Sequence, residues 1–180
     1  VPANTEPEPA DGTARLRAAG RARQALDLLG FLALSFAAWA MASIPIILHS
    51  TGWFADSVKA PWMPPAWMFR SIWLMLYVGI AVAAWLVWRK NALTGTALAA
   101  YVVQLVLNAG WPVTFFGLYP LLGTAALWAA FIVISGLAFS LVFLILRFGQ
   151  VSAGAGLLLL PYFSWVVFSA SLNLYSALHN

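Results

Sequence analysis

The stretch Asn91-Ala-Leu-Thr-Gly-Thr-Ala-Leu-Ala-Ala100 through Leu141-Val-Phe-Leu-Ile-Leu146 decides the fold: 56 residues between Lys90 and Arg147 without one charged side chain. The 33 residues after Arg147 carry none either. A soluble domain has about a quarter of its residues charged, whereas here the figure is 8% with 63% hydrophobic. The solvent of such a chain is mostly lipid. A helix crosses the roughly 30 Å hydrocarbon layer in about 20 residues, so this stretch is too long for one span. Gly117-Leu118-Tyr119-Pro120 supplies the strong break in it, with a proline suited to a first helical turn.

Working outward, five spans are expected: Asp27 to Leu48, Trp67 to Trp88, Ala92 to Phe116, Pro120 to Leu146 and Leu157 to Leu178, with Gly149 to Gly156 as a turn. The apolar runs are long and continuous, not short and alternating, which argues against a β-barrel. The expected fold is an all-α membrane protein, a five-transmembrane-helix bundle over residues 26–180. Residues 1–25, rich in Pro, Ala and Arg, read as a disordered cytoplasmic tail. Seven basic residues (Arg15, Arg17, Arg21, Arg23, Arg89, Lys90, Arg147) fall on one side of this topology and two (Lys59, Arg70) on the other. The positive-inside rule then places the amino terminus in the cytoplasm of a bacterial inner membrane and the segment His49 to Ala66 outside. The arginines beside the first span read as a topology signal and can also bind anionic headgroups. A secretory signal peptide is the alternative for the first apolar run, with the outer membrane as the corresponding location. Against it, the run continues to Leu48, longer than a cleaved segment needs. The absence of an initiator methionine fits a processed or an engineered chain alike.

The chemical inventory is thin. There is no cysteine, hence no disulfide, thiolate nucleophile or cysteine metal site. Asp56 is the one carboxylate beyond the start of the first span, and His49 and His179 are the two histidines. Paired carboxylates, nucleophile with base, metal cluster and glycine-rich phosphate loop are all missing from the pattern. No metal, required cofactor or nucleic acid is expected.

Tryptophan is in excess, with ten residues. An interfacial aromatic belt accounts for Trp39, Trp85, Trp88 and Trp128. Trp53, Trp62, Trp67 and Trp73 cluster around the first loop, where Pro61-Trp62-Met63-Pro64-Pro65 makes a stiff, lid-like segment. On the third span Tyr101, Gln104, Asn108, Trp111 and Phe115 recur at intervals of three and four and share one face. Tyr162, Trp165, Ser169 and Asn173 do so on the fifth, and Trp73 and Tyr77 extend the pattern to the second. Such faces either bury amides against one another as glue or line a cavity; both readings stay open for Gln104 and Asn173, and the cavity is favoured for Asn108. Pro112 and Pro161 remove backbone donors inside spans, and Pro112 could widen a cavity beside Asn108. Gly95-Thr-Ala-Leu-Ala99 has the small-xxx-small spacing of close helix packing, compatible with a dimer.

Together these residues resemble the translocator protein family (TspO/MBR), also called tryptophan-rich sensory proteins or peripheral benzodiazepine receptors. The resemblance runs from Gly52 to Asn173. It rests on Trp53-Phe54 with Lys59, Trp62-Met-Pro-Pro-Ala-Trp67, Trp73 and Tyr77. Gln104-Leu-Val-Leu-Asn108, Trp111-Pro112 and Phe115-Phe-Gly117 carry it through the third span, and Pro161-Tyr-Phe-Ser-Trp165 with Leu172-Asn173 through the fifth. It implies a homodimer with a pocket beneath the first loop of each protomer. The implied ligands are porphyrins such as protoporphyrin IX, haem, and, in some members, sterols or benzodiazepine-type compounds. By motif position Trp62, Asn108 and Trp165 would contact the ligand, with Trp53, Trp67, Tyr77, Trp111 and Tyr162 lining or closing the pocket and Gln104 offering a hydrogen bond. Phe54 replaces the family's usual tyrosine, the usual Lys-Pro-Ser-Trp reads Lys59-Ala-Pro-Trp62, and Tyr175 lacks the following basic residue of the animal sterol motif. The implied function is a membrane receptor or sensor for porphyrin. The alternatives are an enzyme of light- and oxygen-dependent porphyrin breakdown, with Trp62 and Trp165 as redox residues, and a facilitated transporter of porphyrin or another amphipath.

Overall fold

Apolar runs of this length in lipid must satisfy every backbone polar group internally, which leaves the helix as the available form. The computed structural model describes the chain from residue 10, and side-chain surroundings from residue 17. Seven helices follow: α1 (Ala10–His49), α2 (Trp53–Asp56), α3 (Ala66–Trp88), α4 (Gly95–Pro112), α5 (Tyr119–Leu122), α6 (Thr124–Val151) and α7 (Ala153–His179). A π-helical turn, Val113–Gly117, extends α4. Among the described residues there is no strand, and five helices are long and apolar enough to span a membrane. They are α1, α3, α4 with its π turn, α6 and α7.

Four boundaries differ from the sequence expectation. Helix α1 begins at Ala10, not Asp27. Residues 10–25, expected to be disordered, are helical, while the first nine residues of that expected tail lie outside the described residues. Alanine and arginine are strong helix formers, and a span already nucleated extends at little cost. Helix α4 starts at Gly95, after a turn in which Asn91 and Gly95 both take positive φ, 53° and 50°. The fourth span starts at Thr124 because Gly123, at φ 55°, ends the short α5 that Pro120 opens. Last, Gly149 to Gly156 is not a turn. Helix α6 runs to Val151 and α7 starts at Ala153, with Ser152 alone non-helical between them. The glycines serve a close crossing: a Cβ on Gly156 would sit 2.9 Å from Gly149 Cα and 3.3 Å from the Ile145 carbonyl.

The spans close a ring in which α1 touches α3 and α4, α3 touches α7, α7 touches α6, and α6 touches α4. At the end where Val87, Leu144, Phe148, Ala155 and Leu159 meet, the interior is fully packed. At the other end, under the loop between α1 and α3, it is open.

Candidate functional site

Proline 112 has no N–H to donate, so the α-helical ladder loosens after it and the backbone widens into the π turn. This turn carries Phe115 and Phe116 inward and forms one wall of a cavity of about 400 Å³. The remaining walls are α1 (Trp39, Ser43, Ile46), α3 (Phe69, Trp73, Tyr77) and α7 (Ser169, Leu172, Ser176), with Phe54, Lys59, Met63 and Pro64 of the first loop across the mouth.

Amides form the floor. The Tyr77 hydroxyl donates to Asn108 Oδ1 at 3.0 Å, Asn108 Nδ2 donates to the Tyr162 hydroxyl, and Tyr162 in turn donates to Gln104 Oε1 at 3.1 Å. Asn108 thus ties α3 and α7 to α4 while one side of it borders the cavity. A second link runs from Trp111 Nε1 to Asn173 Oδ1 at 2.9 Å, and from Asn173 Nδ2 to the Leu127 carbonyl at 2.9 Å, joining α4, α7 and α6. Inside hydrocarbon an unmade bond of this kind is costly, so the two chains hold the ring in register. Above the floor, Trp73 and Trp111 stack with centroids 6.4 Å apart and planes 24° from parallel, and Phe115 continues the aromatic wall 5.5 Å from Trp111.

The mouth is cationic. Lys59 and Arg70 border the cavity, and among the described residues no carboxylate does. The Lys59 ammonium donates to the carbonyls of Ala55 (2.8 Å) and Ser57 (3.2 Å) and lies 5.1 Å from the Phe54 ring centroid.

Of the nine residues expected at the site, Tyr77, Asn108 and Trp111 line the cavity. Gln104 and Tyr162 are fully buried one layer behind Asn108. Trp53 clamps the wall from outside: its indole N–H donates to the Phe116 carbonyl at 3.1 Å, a group left free at the end of the π turn, and its ring stacks on Tyr119 at 3.7 Å. Trp62 is 48% exposed, donates to Ser171 Oγ at 3.3 Å and meets Tyr175 edge-on. Trp67, 63% exposed, does not border the cavity. Trp165 lies in an outward groove between α3 and α7 with Ile72, Met75 and Pro161, separated from the cavity by Phe69. Sequence reasoning put Trp73 on the face of Tyr77 without naming it as a contact, and it missed Phe69, which lies four residues before Trp73 on that same face. It also missed Trp39, Ser43 and Ile46 of α1, with Ser50 just beyond its end, whose spacing of three and four is hidden in a uniformly apolar helix.

The sequence that builds this five-span ring and its tryptophan-walled cavity matches the profile of the TspO/MBR family over residues 29–178. The chain belongs to the TspO/MBR family. Among its relatives, the tryptophan-rich protein TspO of Chlorobaculum tepidum is 38% identical over 129 residues, 67% of this chain and 75% of that one. The translocator protein of Ovis aries is 35% identical over 127 residues, 67% of this chain and 70% of that one. The tryptophan-rich sensory protein of Cereibacter sphaeroides is 30% identical over 148 residues, 82% and 89% of the two chains. As a TspO/MBR member with five apolar spans, the chain is an integral membrane protein.

Proposed function

We propose that this protein is a membrane receptor or sensor that binds porphyrins, protoporphyrin IX or haem, and related flat amphipaths in the cavity within its helix ring. The observation that carries the reading is the combination of a stacked indole pair, Trp73 and Trp111, with the cationic mouth of Lys59 and Arg70. A planar macrocycle gains area and offset stacking against such a wall, while acidic side groups at its edge pair with ammonium and guanidinium. The cavity, about 400 Å³, falls within the range of small-molecule sites, roughly 300–1,000 Å³. Asn108 has a second amide hydrogen and a second lone pair beyond its two bonds, enough to orient a polar edge.

In the same reading the amino terminus is cytoplasmic in a bacterial inner membrane and the mouth faces the opposite side. The protein pairs as a homodimer through the exposed small residues Gly95 and Ala99. The enzymatic alternative, light- and oxygen-dependent porphyrin breakdown, would fall on Trp73 and Trp111, which border the cavity, and not on Trp62 and Trp165, which do not. Facilitated passage of the ligand is the third reading, and proteoliposome uptake separates it from binding. The test of the leading one is a protoporphyrin IX titration of the detergent-solubilised protein, followed by tryptophan emission. Saturable quenching at micromolar porphyrin is expected. Emission that stays constant overturns the reading.

A further inference from the structure

The last turn of α7 reaches across the molecule to the first loop. Asn180 Oδ1 accepts the Val58 backbone N–H at 2.7 Å, and Asn180 Nδ2 donates to the Val58 carbonyl at 3.0 Å. One carboxamide therefore pairs with both polar groups of a single residue 122 positions away, as a neighbouring strand would. Its orientation is set from behind: Nδ2 also donates to the Ser176 carbonyl at 3.0 Å, and the Asn180 main-chain oxygen accepts from Thr124 Oγ1 at 2.6 Å. Val58 is 51% exposed, so side-chain packing does not hold it there. Four residues on, Trp62 attaches the same loop to the same helix through Ser171 and Tyr175, and Tyr175 is itself backed by the His179 ring at 3.9 Å. Between the two attachments lie Lys59, which borders the cavity, and the buried Ala60.

We infer that Asn180 is a positioning residue that latches the first loop shut over the cavity, with Ser171 as the second catch, and that the latch sets how fast ligand enters and leaves. Neither residue borders the cavity, so neither discriminates an occupied site from an empty one. Loosening the latch therefore raises the open fraction equally in both states. Association and dissociation rates rise together and Kd stays where it is. The kinetic part of this inference rests on the porphyrin reading above, whereas the latch itself does not.

The experiment has two arms on the full chain in lipid nanodiscs. Hydrogen exchange reads the Val58 amide directly: Asn180→Ala is expected to speed its exchange at least about tenfold, given three small hydrogen bonds lost, with α6 amides unchanged. Stopped-flow mixing with protoporphyrin IX is expected to show both rate constants up by about tenfold in the same variant, with Kd within about twofold. Asn180→Asp keeps the acceptor for the Val58 N–H and should recover part of the protection. Should Asn180→Ala not fold, Ser171→Ala, which frees only Trp62, carries the same test with an effect of about threefold. Unchanged Val58 exchange overturns the latch. Faster exchange with a weakened Kd and an unaltered association rate overturns the gating role. A wild-type protein that binds no porphyrin overturns the porphyrin reading instead and leaves Val58 exchange to decide the latch.

Discussion

Both ends of the ring are walled largely by apolar side chains, yet one is solid and the other hollow. At the solid end Leu141, Leu144, Phe148, Ala155 and Leu159 have no exposed surface, and Gly149 meets Gly156 so closely that the α6 and α7 backbones touch. At the hollow end Trp73, Trp111, Phe115 and Phe116 face one another around a cavity, the wall displaced by the π turn after Pro112. Lipid offers apolar side chains as good an environment as a neighbouring helix does, so hydrophobicity cannot decide which end closes. Side-chain volume and backbone approach decide it. Glycine and alanine let two helices settle against each other, while several indole and phenyl rings, limited to staggered rotamers, hold four elements apart.

The sharpest way to break this comparison is Gly156→Leu. Its Cβ would meet backbone atoms of Gly149 and Ile145 that cannot turn aside. Overpacking of this kind costs about 3 kcal/mol or more. Thermal melting in detergent is expected to show a drop of roughly 10 °C or loss of the folded species, and a wild-type melt would mean the solid end is not close-packed.

A middle-sized effect is expected where the two ends join. Asn108→Leu leaves the Tyr77 hydroxyl without its acceptor and the Tyr162 hydroxyl without its donor. Stability should fall by about 1–3 kcal/mol, and porphyrin-dependent quenching should shift to higher concentration. A variant as stable as the parent would show that the amide chain is dispensable to the ring.

The smallest and most discriminating comparison is between two tryptophans. Trp73→Phe removes part of the cavity wall and should weaken protoporphyrin IX binding by about three- to tenfold, the worth of one stacking contact. Trp62→Phe loses only its bond to Ser171 on the outer side of α7. Its stability should change by less than about 0.5 kcal/mol and its porphyrin affinity by less than about threefold. The reverse ranking would mean that Trp62 swings inward when ligand binds.

The same contrast explains how much could be read from the chain alone. The number of spans and their order followed from charge and run length, because the bilayer imposes one thickness on every crossing. Asn108, Trp111 and Tyr77 were legible at the cavity because polar and aromatic residues recurring at three and four must share a helix face. A shared face says nothing of depth, however. Gln104 and Tyr162 lie on the right faces but behind the floor, and Trp165 lies on the far side of Phe69. The loop tryptophans were harder still, since Trp53 and Trp62 are aimed by hydrogen bonds to Phe116 and Ser171, 63 and 109 residues away.

By itself, then, the sequence settled that this is a five-crossing helical membrane protein with four tryptophans around its first loop and amides on shared helix faces. Those properties depend on local periodicity and on the solvent, both of which a linear string records. Only the tertiary structure decided which rings enclose the hollow, which clamp it from outside, and that Asn180 holds Val58. These depend on where separate helices cross, and that is a balance of packing volumes between residues far apart in the chain.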